Sequence, residues 1–214
     1  MMPLLKLAVL FTFTFVFSAK AALVEVLPQS YTFDRATDCG TYCYHDETGV
    51  QLIDGKYGSN IWQANLGNGP AYEWLGWTDR SVSLIFDFGN ITTINQIVVG
   101  TVQDHINDVV FPSIYAYTSS DGVNYGSLIG SLNVPESAAN NQSHGSLTLS
   151  GFNQASRYFM VDLAFSFNGP WTFADEVDFY KTASTPVPAP QSLLLFSMGL
   201  LLITLRRNPL FNRS

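Results

Sequence analysis

Two cysteines and three histidines carry the most reactive side chains in this sequence, and their spacing narrows the chemistry open to it. Cys39 and Cys43 stand four apart in Asp38-Cys39-Gly40-Thr41-Tyr42-Cys43. In an exported chain an even pair reads as a disulfide, and so short a loop would fix a local turn, because the entropic gain grows with loop length. A zinc site would need more ligands, and only His45 is close by. His105 and His144 are scattered, and no Gly-x-Ser-x-Gly, His-Glu-x-x-His or phosphate-binding loop occurs. Glycoside hydrolysis needs only two carboxylates, and the 17 acidic residues offer many pairs of which spacing selects none. Spacing alone therefore assembles no catalytic set and leaves glycoside hydrolysis open.

Charge limits what it binds. All 17 acidic residues lie between Glu25 and Asp178, against five basic residues in residues 22–181, a net −12 for that part of a chain whose formal total is −7. A field of that sign repels phosphate backbones, so nucleic acid is excluded as a partner, while divalent cations and neutral ligands stay open.

The two ends read as address signals. Lys6 precedes an apolar run from Leu7 to Phe17, and Ala19-Lys20-Ala21 supplies small residues for a signal peptidase, so residues 1–21 are expected to be a cleaved signal peptide. At the other end Val187-Pro188-Ala189-Pro190 is followed by an apolar run from Leu193 to Leu205 and then Arg206-Arg207. That run is shorter than the ~20 residues a membrane-crossing helix needs. It could serve as a short anchor held by its arginines on the cytoplasmic face. The order of motif, apolar helix and basic end also resembles the PEP-CTERM sorting tail of exopolysaccharide-producing Gram-negative bacteria, with Ala189 where that family usually has Glu. The resemblance implies cutting by an exosortase, an inner-membrane tether during sorting, and delivery to the outer envelope, cell surface or extracellular matrix.

Between these signals lies one domain's length of chain, residues 22–181, followed by a Pro-rich linker over 182–190 and the tail over 191–214. Ser81 to Phe88 alternates, with Val82, Leu84, Phe86 and Phe88 on one face, and Gly89-Asn90 is expected to end the strand. Ile94–Val99, Ser113–Thr118, Ser146–Leu149, Tyr158–Ala164 and Val177–Tyr180 repeat the pattern between Gly, Asn, Pro and Ser clusters, and Glu136 to Gly145 reads as a polar surface loop. Many short aromatic-rich strands and no long helical stripe predict an all-β sandwich or barrel. Asp121-Gly122 suits a tight hairpin turn, and Arg157 could pair with a carboxylate at a sheet edge or stay solvated.

Leu52-Ile53-Asp54-Gly55, the strand from Val82 to Gly89, Ile94 to Val99, Phe111 to Gly122, Arg157-Tyr158 and Asp175-Glu176-Val177 follow one another in an order that resembles a discoidin, or coagulation factor 5/8 type C, domain. The resemblance implies a galactose-binding-like jelly-roll β-sandwich, here flanked by the N-terminal signal helix and the C-terminal hydrophobic helix. It also implies one structural calcium ion where the first and last strands meet, with Asp54 and Glu176 as carboxylate ligands and carbonyls of the loop from Asp54 to Ser59 completing the shell of oxygens. The alternative is that Asp54 caps a turn and Glu176 faces water.

Carbohydrate recognition in such a domain would fall on loops at one end, because sugars are held by an aromatic face and a few polar groups. The loop from Trp62 to Asp79 offers Tyr72, Glu73, Trp74 and Trp77, the loop from Asp104 to Val110 offers His105 and Asn107, and Trp171 sits near the final strand. A tryptophan in a β-sandwich can equally be core. The sequence thus predicts a non-catalytic, exported carbohydrate-binding module associated with exopolysaccharide, against the alternative of a structural surface protein without a glycan ligand.

Overall fold

The computed structural model of the protein describes residues 22–39, 43–58, 62, 73–134, 143–165, 169–183, 196 and 200. Contacts divide the chain into one unit of Leu23–Thr182 and another made of Met1–Ala22 with Ala183–Ser214. Residues 1–21, expected to be a signal peptide, residues 184–190 of the expected linker, and the expected tail apart from Phe196 and Leu200 lie outside the described residues, while Thr182, placed in the linker by the sequence, is the last residue of the final strand. Among the described residues no helix is long and apolar enough to cross a membrane.

Among the described residues of the larger unit there are nine strands: β1 (Leu23–Glu25), β2 (Ser30–Phe33), β3 (Leu75–Thr78), β4 (Val82–Gln103), β5 (Ser113–Ser119), β6 (Leu128–Leu132), β7 (Ser143–Ala164), β8 (Trp171–Ala174) and β9 (Val177–Thr182). Every pairing between them is antiparallel. The long strands β4 and β7 make the frame. The first part of β4, Val82–Asp87, pairs with the last part of β7, and its second part, from Thr92 on, pairs with the first part of β7. β2 adds to the first part of β4, and β5 and β6 extend from the end of β7. β9 and β1 add beside the second part of β4, while β3 and β8 form a separate two-stranded sheet. The result is the jelly-roll β-sandwich that the sequence implied.

The expected strand end at Gly89-Asn90 is corrected. β4 runs on through both residues, and the register slips between Asp87 and Thr92 and again between Ile94 and Gln96. Gly89 sits at φ +72, a left-handed conformation that costs glycine little, so the strand bends there and does not stop. The polar loop expected up to Gly145 is likewise shorter, because β7 already begins at Ser143.

Alternation in β4 places Val82, Leu84, Phe86 and Phe88 in the core, as its period requires. Phe86 faces Phe159 of β7 in the same layer, and Phe179 of β9 meets them from the other, with ring centroids 4.9 Å from Phe86 and 6.1 Å from Phe159. Each such buried ring stabilises the fold by about 1.5–3 kcal/mol relative to exposure. Arg157 resolves as a paired residue, its Nε and Nη2 donating at 2.8 Å to the two carboxylate oxygens of Asp87. Gly122, at φ +75, turns the chain after β5 while Asp121 accepts from the backbone N–H groups of Val123 and Asn124.

Candidate functional site

A smaller apolar cluster of Tyr44, Trp74, Val102, Val109 and Phe173, with half-buried Trp62 and Trp171 against it, sits beyond the main core. It supports the loop that leaves β4. Asp104 opens that loop and is fully buried. Its backbone exchanges hydrogen bonds with Val109 at 2.9 and 3.2 Å, and a single 3₁₀ turn over His105–Asn107 closes through Asp108 at φ +61. The Asp104 carboxylate then fixes side chains from two directions: Oδ2 accepts from the Trp62 indole N–H at 2.9 Å and from the Asn107 amide at 2.6 Å. Trp171 joins through backbone bonds, its N–H donating to Asp108 and its carbonyl accepting from Val110.

Both tryptophans lie nearly parallel to Phe173, Trp62 at 6.1 Å and 24°, Trp171 at 5.5 Å and 12°. Tyr44 braces the stack edge-on, 4.7 Å from Phe173 and 5.6 Å from Trp171. The structure therefore brings three sequence-predicted residues, His105, Asn107 and Trp171, to one place, with His105 and Asn107 exposed at the tip. It adds Trp62 and Asp104. A buried acid that organises its own loop has no sequence signature distinguishing it from the other acids.

Two predicted ligand residues are corrected. Trp74 and Trp77 are completely buried and offer no face to a ligand. The reason is local: Trp77 lies in β3, whose first three residues are all buried, and Trp74 immediately precedes it. Trp77 packs in the main core with its ring 5.8 Å from Phe33, and Trp74 belongs to the smaller cluster. Tyr72 lies outside the described residues.

Two buried acids, Asp175 and Glu176, lie in the turn between β8 and β9, and a third, Asp178, follows in β9. The segment after Asp54 is fastened to them: Gly55 N–H donates to Glu176 at 3.1 Å, Tyr57 hydroxyl to Asp178 at 2.5 Å, and Gly58 N–H to Asp175 at 2.5 Å. Gly100 is required beneath them, because a Cβ there would come within 1.9 Å of Asp175 Oδ1. Burial, with the neighbouring charges of Asp178, Asp54 and Asp175, pushes the Glu176 carboxyl up to about 8. Burial raises Asp175 to about 6, against the bond from Gly58 and the presence of His144, and it raises Asp178 as well. Among the described residues the one ion pair of this trio is Asp175 with His144, and Asp175 Oδ1 meets no donor. The donors from Gly55, Tyr57 and Gly58 partly compensate the acids, and among the described residues no three of Asp54, Asp175, Glu176 and Asp178 bring ligand oxygens within 4.8 Å of one another, so a hard cation there would need backbone carbonyls to complete its shell. Glu176 is buried and does not face water, while exposed Asp54 accepts from Lys56 Nζ at 2.9 Å and Lys56 N–H at 3.0 Å.

Cys39 and Cys43 are joined as a disulfide. Cys39 Sγ lies 3.2 Å from His45 Nε2, and His45 Nδ1 lies 2.7 Å from Thr37 Oγ1. The three side chains are close enough to ligate a metal, but the disulfide consumes both thiols. His45 also lines a cleft of about 260 Å³ together with Glu47, Thr48, Gln51, Asp54, Lys56, Tyr57, Gly58 and Glu73. The sequence singled out His45, Asp54 and Glu73 separately, for a zinc ion, a calcium ion and a sugar, and did not anticipate that they line one concavity.

Solved structures of similar shape include the C-terminal domain of a chitobiase from Bacteroides fragilis, at 15% identity over 75% of this chain and 100% of that one with a TM-score of 0.49. Another is the family 32 carbohydrate-binding module of NanJ from Clostridium perfringens in complex with galactose, at 11% identity over 75% and 100% with a TM-score of 0.45. The family 32 module of AlyQ in complex with 4,5-unsaturated mannuronic acid shares 17% identity over 73% and 97% with a TM-score of 0.47. No curated protein matches the sequence. Residues 20–181 match the family model described as the DS-like domain of discoidin domain-containing receptors 1 and 2, and the chain belongs to that discoidin-like family.

Proposed function

We propose that this protein is an exported, non-catalytic module that binds glycan at the cell envelope, delivered by its PEP-CTERM-like tail and associated with exopolysaccharide. The observation that carries the reading is the pair of half-buried tryptophans, Trp62 and Trp171, stacked on Phe173 beside the exposed tip of His105 and Asn107. An aromatic face next to oriented polar groups is what a sugar ring requires, apolar C–H surface on one side and hydroxyls at the edge. Asp104 holds Trp62 and Asn107 in place before any ligand arrives, so little ordering is left for binding to supply.

The same reading gives the acids after β8 a structural role. Asp54 and Glu176 would hold one calcium ion, whose charge would offset the buried carboxylates and fasten the early loop to the last strand. The tail is a substrate for an exosortase, after a signal peptidase has removed residues 1–21.

Binding of the protein to a broad glycan panel tests the proposal. Saturable binding that Trp62→Ala and Trp171→Ala each weaken about tenfold, or about 1.4 kcal/mol, supports it. Absence of binding across the panel favours a structural surface protein, and release of reducing sugar from any polysaccharide overturns the non-catalytic reading.

A further inference from the structure

We propose that the Cys39–Cys43 disulfide is a redox switch for the glycan face: reduction by a dithiol lets Tyr44 move off Trp171 and Phe173, loosens their stack and weakens binding there. This adds regulation to the glycan reading of that face, on which it rests.

Tyr44 directly follows Cys43 and is buried, its ring edge-on 4.7 Å from Phe173 and 5.6 Å from Trp171. The backbone holds it by long bonds. Its N–H reaches the Asp38 carbonyl at 3.3 Å, and its carbonyl accepts from Gly76 N–H of β3 at 3.4 Å. A strong N–H···O bond measures about 2.9–3.0 Å. Asp38 is fastened better: its N–H donates to the Gly76 carbonyl at 2.8 Å, and its carboxylate accepts from Thr78 N–H at 2.9 Å and from Arg35 Nη2 at 2.7 Å. Cys39 and Cys43 face each other across an antiparallel bridge, so the disulfide ties the weakly held side of this segment to the firmly held one. Packing transmits any slip. A Cβ at Gly76 would come within 2.5 Å of the Phe173 ring and 3.1 Å of Tyr44 Cβ, so no slack separates Tyr44 from the stack it braces.

The bond is placed to be opened. Cys39 is exposed, and exposed disulfides are the ones that exchange readily. One thiolate of the dithiol attacks Cys39 Sγ, forming a mixed disulfide and expelling the Cys43 thiolate, which takes a proton from water. The second thiolate of the dithiol then attacks the dithiol's own sulfur in the mixed disulfide, and Cys39 leaves as a thiolate. The dithiol ends as a cyclic disulfide and the protein as two thiols. His45 Nε2 lies 3.2 Å from Cys39 Sγ, and with the Thr37 hydroxyl donating to Nδ1 at 2.7 Å the ring proton sits on Nε2, where it stabilises the departing thiolate. So short a closed loop adds little to global stability, and the reduced protein stays folded.

The test follows the tryptophan bands of near-ultraviolet circular dichroism, and affinity for the panel glycan that the oxidised protein binds most tightly, in excess calcium before and after dithiothreitol and after reoxidation. Reduction, verified in a parallel sample by iodoacetamide labelling of both cysteines, should diminish the tryptophan bands and weaken binding about tenfold. Reoxidation should restore both. Tyr44→Ala with its disulfide intact should start with diminished bands, and reduction should take nothing further from it. Unchanged tryptophan bands in the reduced protein overturn the proposal, as does a Tyr44→Ala protein that reduction still weakens by the full amount. Loss of the cooperative melting transition on reduction also overturns it, because the bond would then hold the whole fold. If the oxidised protein binds no glycan on the panel while its tryptophan bands still follow the redox state, the glycan reading fails and the coupling of the disulfide to the aromatic stack stands.

Discussion

His144 Nε2 lies 2.9 Å from Asp175 Oδ2, at ion-pair distance but not aligned as a hydrogen bond, and Asp175 is completely buried. The pair ties the start of β7 to the turn between β8 and β9. His144 is itself enclosed by the rings of Trp74 at 5.6 Å and Tyr57 at 5.8 Å. One half-buried histidine is thus paired with one of three neighbouring buried acids, and the imbalance sets how the fold responds to pH.

In the folded protein Glu176 holds its proton up to about 8 and Asp175 to about 6, against ordinary values of 4.5 and 3.8. The native state thus binds protons that the unfolded chain has released, and stability falls as pH rises through that window. It is full below about pH 4, declines through about 6 and is lost by about 8. Melting temperatures in excess chelator should fall steadily between about pH 5 and pH 8.5. Calcium should raise them most at the upper end, because an ion bound only by the folded state adds stability. A melting curve that ignores both chelator and calcium would remove the ion from the account.

Asp104→Ala should lower stability by about 1–3 kcal/mol, because it strands the Trp62 and Asn107 donors at the edge of the aromatic cluster. Asp104→Asn keeps one carbonyl acceptor and should cost less. Urea unfolding of the two variants checks the order, and the same variants should lose glycan affinity in parallel with their loss of loop order.

Removal of the disulfide by Cys39→Ser with Cys43→Ser should cost about 2 kcal/mol or less, since the closed loop is so short. Phe179→Ala should cost about 3–5 kcal/mol, because it leaves a cavity where the two layers meet. Denaturant midpoints measured side by side would reverse this ranking only if the Cys39–Cys43 loop contributed more than a local turn.

The envelope-associated protein from a host with an exosortase should lack Leu193 to Arg207. Intact mass of the purified form decides this, and retention of those residues would leave a simple anchor.

The fold was legible where period and burial coincide. Val82, Leu84, Phe86 and Phe88 alternate in sequence and lie together in the core, whereas the tight hairpin expected at Asp121-Gly122 is a longer connection over residues 120–127 in which only Gly122 takes a positive φ. It was not legible at Gly89, where the same glycine signal that ends a strand can also bend one, and only the neighbouring strands decide which. Asn107, His105 and Trp171, named separately from the sequence, come together at one loop because the backbone of Trp171 in β8 bonds Asp108 and Val110. Trp74 and Trp77 could not be told from them, since burial depends on what packs over a residue. Asp104 and Tyr57 were missed because the partners that give them meaning, Trp62 and Asp178, are distant in sequence and become neighbours only on folding.

β1 runs antiparallel to β9 with Leu23 opposite Thr182, and Ala183 N–H donates to the Ala22 carbonyl at 2.8 Å. The polypeptide thus enters and leaves the sandwich side by side. Tension applied between those two points would peel the strands apart one rung after another, the geometry that yields at low force. Load carried from the C-terminal point to a ligand would spare that seam from being pulled open, so a module tethered at one end is mechanically sturdier than the same module strung between two neighbours.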